Sequence, residues 1–241
     1  MRPGLFERRA RRALARAGAA FAAAIGIATI VAAGLEPGFS RSVTPGLVRR
    51  FQALFGSGVP ERLAGWQQFM RRAQLRPVAD RGAPANAVQL ARVNRFFNDV
   101  AYMTDRDLWH VDDYWATPAE MLAVNGADCE DYAIAKYFTL KELGVPVSKL
   151  RLVYARSWLA ADEAHMVLAF YDSPDAEPLI LDNLQGGIER AASRPDLTPV
   201  YMFNEEDVVL LQENAPALRL GPSSNRKWLA LVERLQRELT Y

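Results

Sequence analysis

The sequence predicts an α+β fold in which N-terminal helices pack on a small antiparallel sheet and further helices follow at the C-terminus. Two observations carry this. Apolar residues recur at three- and four-residue spacing before residue 144 and again near the C-terminus, which is helical periodicity. Between Leu150 and Asn183 the period changes to two, in short runs separated by short polar connectors.

The first helix is expected from Glu61, with Leu63, Trp66, Phe69 or Met70, and Ala73 on one face. A second runs from about Ala85 to Tyr102. Leu90, Val93, Phe97 and Val100 or Ala101 form its buried stripe, with Asn86 placed to cap it. Thr117-Pro118-Ala119-Glu120 joins a capping box to a proline at the first helical position, so a short third helix starts there and ends near Asn125-Gly126. A fourth begins at Asp128 or Cys129. Gly144 suits its C-terminal cap, and Pro146 prevents continuation.

Leu150–Arg156, His165–Tyr171 and Leu179–Asn183 read as three strands. The connectors Leu159–Ala164 and Asp172–Pro178 are short, which implies antiparallel neighbours. After a loop near 185–200, Asn204–Gln212 and Ser224–Leu239 are predicted helical. Trp228, Val232, Leu235 and Leu239 share one face of the last helix.

The N-terminus reads as a targeting segment. Six arginines precede an uncharged run from Ala17 to Gly34, and Val31-Ala32-Ala33 suits a signal-peptidase cut before Gly34. Its rival is an uncleaved anchor, since about 18 apolar residues just span a bilayer. Residues 1–33 are therefore a signal peptide or anchor, 34–60 a proline- and glycine-containing linker, and 61–241 the folded domain. Without residues 1–34 the chain holds 23 basic and 27 acidic residues, so a general nucleic-acid surface is excluded.

Cys129 is the single cysteine of the chain, so no disulfide forms within it. At the first turn of a helix its thiol lies in the positive end of the helix dipole, which favours the attacking thiolate. A buried inert cysteine is the alternative. Of the two histidines, His165 opens a strand, and Asp182 closes the next. Antiparallel pairing brings those two strand ends together, giving a nucleophile, a base and an orienting carboxylate. His110, near Asp107, Asp112 and Asp113, reads as a solvated or locally bonded loop residue.

Asp128, Glu130 and Asp131 flank Cys129, and three carboxylates oppose thiolate formation. Asp128 can cap the helix and acids suit its first turn. The other reading is a hard cation, for which calcium fits carboxylate oxygens outside the cytoplasm. Apart from these acids, no loop reads as a dense acidic cluster. The N–H of Cys129 is a natural oxyanion donor. A second is expected from the loop of Trp115, for which core packing is the alternative.

Trp115-Ala116-Thr117-Pro118-Ala119-Glu120, then Asn125-Gly126-Ala127-Asp128-Cys129-Glu130-Asp131-Tyr132-Ala133, resembles the bacterial transglutaminase-like cysteine proteinases, the family of the LapG-type periplasmic proteases. Lys136-Tyr137, His165-Met166-Val167-Leu168 and Leu181-Asp182-Asn183-Leu184 continue the match over about residues 109–185. Ala127 departs from it, where the family favours glycine. The resemblance implies a papain-like, transglutaminase-type core with Cys129, His165 and Asp182 as the triad, and a Ca2+ site at Asp128, Glu130 and Asp131. It implies a periplasmic endopeptidase that cuts a large surface adhesin near its N-terminus at paired alanines, releasing the adhesin and dispersing a biofilm. The implied partner is an inner-membrane LapD-type receptor that reads cyclic di-GMP and sequesters the protease. The triad serves equally a transglutaminase or amidase on the same core. A non-catalytic calcium-dependent binding module is the alternative of another class.

Overall fold

The computed structural model describes residues 43–75, 86–160, 164–212 and 215–241. The signal or anchor segment lies outside the described residues. So do residues 34–42 of the linker, Ala85 of the second helix, and 161–163 of one strand connector.

Part of the expected linker is helix. Thr44 accepts the Leu47 N–H at 3.1 Å as N-cap of α1 (Pro45–Phe55), Pro45 fills the first position, and Gly56 ends the helix at φ 92°. The proline and glycine that suggested a linker are here the start and stop signals of a helix. Leu47 and Phe51 are buried, and α1 packs on α2 (Val59–Leu75) and α5 (Pro118–Val124). α3 (Ala87–Asn98) buries Leu90, Val93 and Phe97 as expected. It ends before Ala101, where two-residue β1 (Ala101–Tyr102) begins. Asn86 holds the cap position without a side-chain capping bond. After the single turn α4 (Asp105–Leu108), the capping box opens α5 with both reciprocal bonds present, and Asn125 closes it at φ 57°.

β2 (Gly126–Ala127) pairs in parallel with β1 and leads into α6 (Cys129–Glu142). Every residue of α6 from Asp131 to Leu140 is buried. A helix covered all round is a central one: α3 packs on α6, which also lies against β4 (Ala164–Phe170) and β3 (Leu150–Ser157). Gly144 follows at φ 89°, as its C-terminal position requires.

The three expected strands, β3, β4 and β5 (Leu179–Leu181), are present and antiparallel. They belong to a larger sheet. β6 (Glu189–Arg190), β7 (Leu197–Phe203), β8 (Val208–Gln212) and β9 (Ala215–Leu220) complete seven antiparallel strands in the order β6-β5-β4-β3-β7-β8-β9. The helix expected over Asn204–Gln212 is therefore a turn and strand β8. Asn204 Oδ1 accepts the N–H groups of Glu206 and Asp207 at 2.8 and 3.1 Å, closing the β7–β8 hairpin. An asparagine followed by acids serves helix caps and Asx turns alike, and the apolar β-branched run Val208-Val209 goes with the strand. One C-terminal helix remains, α7 (Arg226–Glu238), which buries Trp228, Leu231 and Leu235. Trp228 stacks on Phe138 of α6 at 5.6 Å and meets Phe203 of β7 edge-on at 5.4 Å, tying the C-terminal helix to α6 and the sheet.

Candidate active site

Cys129 occupies the first position of α6, half-buried. Its thiol lies close to the backbone of Met166, the residue that follows His165. Burial, then the neighbouring Glu130 carboxylate, pushes the thiol pKa well up, and Sγ donates to Glu130 Oε2 at 3.1 Å.

His165 and Asp182 come together as strand pairing requires. Leu168 faces Leu181 and Ala169 faces Ile180, so Asp182, one residue past β5, falls on the His165 face of the sheet. His165 Nε2 lies 2.7 Å from Asp182 Oδ1, with both residues buried. The carboxylate thus takes Nε2, one of the two ring nitrogens. The Leu184 N–H donates to Asp182 Oδ1 at 3.1 Å, and Asn98 Nδ2 donates to the Asp182 carbonyl at 2.8 Å. Burial raises the Asp182 carboxyl, but hydrogen bonds from His165 and Arg194 outweigh it and bring it to about 2. Asp182 is thus a carboxylate at neutral pH.

The acids beside Cys129 do more than cap. Asp128 stands at the N-cap position, yet its side chain makes no capping bond. It lies instead with Asp105 and Asp131, one oxygen of each within 4.8 Å of the others. The parallel bridge of β1 to β2 sets Tyr102 against Ala127 and so brings Asp105 beside Asp128. One oxygen each of Asp131 and Asp105 is held by backbone: Ala116 N–H donates to Asp131 Oδ1 at 2.7 Å, and Tyr114 N–H donates to Asp105 Oδ2. Asp105 Oδ1, Asp128 Oδ1 and Asp131 Oδ2 are buried with no hydrogen-bond donor among the described residues. Three clustered carboxylates, each with a buried oxygen lacking a donor, fit a hard cation. Burial and mutual repulsion push the Asp128 carboxyl up to about 10 and raise Asp131 and Asp105. Glu130 joins Asp105 and Asp113 in an overlapping group.

Asp105 and Asp113 correct the reading that no other loop supplies a dense acidic cluster. The signal was the run Asp105, Asp107, Asp112, Asp113. Arg194, buried and paired with Asp182, was also missed. Lys136, noted in the sequence only as part of the match, is fully buried within reach of the Asp182 charge. His110 is exposed at φ 58°, with Nδ1 3.3 Å from its neighbour Arg106's carbonyl, the local bonding expected of it. Trp115 is buried, its ring stacked 5.9 Å from Phe203, and its carbonyl accepts a hydrogen bond from Arg234.

A cysteine at the start of a central helix, packed on an antiparallel sheet that carries a buried His-Asp pair, is the arrangement of the papain-like, transglutaminase-type class of thiol enzymes. The sequence model of the bacterial transglutaminase-like cysteine proteinases matches residues 68–196. Solved structures agree. EGTA-treated LapG of Legionella pneumophila is 41% identical, with a TM-score of 0.63 over 78% of this chain and 97% of that one. The calcium-bound form of the same protein is 40% identical, with a TM-score of 0.61 over 78% and 98%. No curated protein matches the chain. The chain belongs to the bacterial transglutaminase-like cysteine proteinases.

Proposed function

We propose that this chain is a calcium-dependent periplasmic cysteine endopeptidase that cuts the N-terminal region of a large surface adhesin, with Cys129, His165 and Asp182 as its triad. The observation that carries the reading is the buried 2.7 Å pair of His165 and Asp182 beside the helix start that presents the chain's single cysteine. His165 takes the thiol proton, and Cys129 Sγ attacks the scissile carbonyl. The N–H of Cys129 offers a hydrogen bond to the developing oxyanion. His165 returns the proton to the leaving amine, and water hydrolyses the thioester with His165 again as base. Asp182 holds the imidazole in one tautomer and orientation throughout.

Asp105, Asp128 and Asp131, with Glu130 alongside, would hold Ca2+. Bound there, the cation offsets the negative field that otherwise keeps the thiol protonated. The calcium-bound relative supports this choice of ion. The arginine-rich, then uncharged N-terminus supports export, with the mature chain starting near Gly34. Regulation by a LapD-type receptor on the inner membrane completes the reading. The body of the chain is near neutral, so docking should rest on apolar contact with little salt dependence.

The test is incubation of the purified protein, with calcium, and the N-terminal region of a surface adhesin containing paired alanines. One discrete cut is expected, absent with Cys129→Ala. An uncut substrate, or a cut that survives Cys129→Ala, overturns the proposal.

A further inference from the structure

Asp182 has two carboxylate oxygens, and the structure assigns them different partners. Oδ1 faces His165 Nε2 and accepts the Leu184 N–H. Oδ2 accepts from Arg194 Nη2 at 2.7 Å. Arg194 is itself fixed: Nε donates to Asp196 Oδ1 at 2.8 Å and Nη2 to Asp196 Oδ2 at 2.7 Å. Ser157, at the end of β3, donates its hydroxyl to Asp196 Oδ2 at 3.3 Å. Arg194, Asp196 and Ser157 are all buried.

One tight turn builds the clamp. The Leu197 N–H donates to the Arg194 carbonyl at 3.1 Å, which puts Pro195 at the second turn position that its fixed φ favours. Arg194 and Asp196 flank that proline, so their side chains meet each other and Asp182 with little freedom.

We propose that Arg194, locked by Asp196, is a positioning residue that fixes the plane of the Asp182 carboxylate and reserves Oδ1 for His165. The proposal rests on the triad reading above. A lone carboxylate rotates about its Cβ–Cγ bond and offers either oxygen. A guanidinium N–H on Oδ2, itself held by the two-pronged bond to Asp196, removes that freedom, and it stays charged at every working pH. A buried ion pair adds little net stability over apolar packing, because both charges lose their water. Orientation of the catalytic carboxylate gives this network a function. The other groups around Asp182 cannot replace it: Lys136 of α6 brings charge without a hydrogen bond, and the Asn98 amide of α3 binds the Asp182 carbonyl.

Proton NMR of the full chain labelled with 15N-histidine tests this, since the sequence has only His110 and His165. In the parent protein the His165 N–H bonded to Asp182 should give a far-downfield, exchange-protected resonance. Arg194→Gln should abolish it, while Arg194→Lys and Asp196→Asn should shift and broaden it. Cleavage of the adhesin fragment should fall up to about a hundredfold in kcat with little change in KM. Its acid limb should move to higher pH, because burial then raises the Asp182 carboxyl with one fewer opposing bond. A purely structural role would lower only the melting temperature. Should Arg194→Gln fail to fold, Asp196→Asn decides. A folded variant that keeps the parent resonance and acid limb overturns the clamp. Asp182→Asn separates the two ideas: if it cleaves normally the triad itself falls, whereas if it alone is dead only the clamp falls.

Discussion

His165 Nε2 and Asp182 Oδ1 lie 2.7 Å apart across two strands, although 17 residues separate them in the chain. Asp182→Asn keeps the shape but lets the amide favour the wrong imidazole tautomer. A loss of about 10⁴-fold in kcat is expected at temperatures where the variant is folded, with a lowered melting temperature because buried Arg194 loses a charged partner; cleavage rates and a thermal scan on one preparation read both.

Cys129→Ala should abolish turnover and leave the fold intact, because one small half-buried side chain replaces another. His165→Ala should be nearly as severe, and the double variant no worse than either alone, since the residues act as one unit. Rates of the three variants on one substrate check this; multiplying losses would contradict a shared step.

Lys136 provides a test of burial. It is fully buried, its Nζ has no hydrogen-bond partner among the described residues, and burial lowers its pKa to about 7 against the opposing pull of Asp182. Lysine in the unfolded chain titrates near 10.4. Between about pH 7 and 10 the unfolded state therefore binds more protons, and this residue's contribution to stability rises with pH. Lys136→Met should be more stable than the parent by on the order of a few kcal/mol at pH 7 and below. The difference should vanish near pH 10. Urea unfolding at pH 6, 8 and 10 in saturating calcium measures it; a pH-independent difference would contradict a titrating lysine.

Thr117 joins the capping box of α5 to α7. Its hydroxyl accepts the Glu120 N–H at 3.0 Å and donates to Glu238 Oε1 at 2.6 Å. Thr117→Ala should cost about 1–2 kcal/mol of stability, measured by urea unfolding, with catalytic rates unchanged at temperatures where the variant is folded.

The legible parts of this protein were local. The α5 capping box, the stop at Gly144 and the period-two strands β3 to β5 are written in adjacent residues, and hairpin geometry then places His165 against Asp182. The missed parts depend on distant pairing. Asp105 reaches Asp128 through a two-residue parallel bridge too short to show any periodicity. Val208–Gln212 was misread because Asn204 caps a turn with the same chemistry that caps a helix. Arg194 gave no signal because it lies in the irregular connection after β6, where no periodicity marks a buried residue, 12 residues from its partner.

Calcium at the acids around Cys129 is tested most directly by chelation, reading cleavage rate and melting temperature on the same purified sample. Asp105, Asp128 and Asp131 leave three buried carboxylate oxygens without donors among the described residues, and the Glu130 carboxylate alongside them opposes the thiolate. EGTA should therefore abolish cleavage and lower the melting temperature. Returned calcium should restore both, while magnesium, which demands a tighter octahedral shell, should restore them poorly. Asp105→Asn should mimic chelation. Unchanged rate and melting temperature after EGTA would contradict a cation at this cluster.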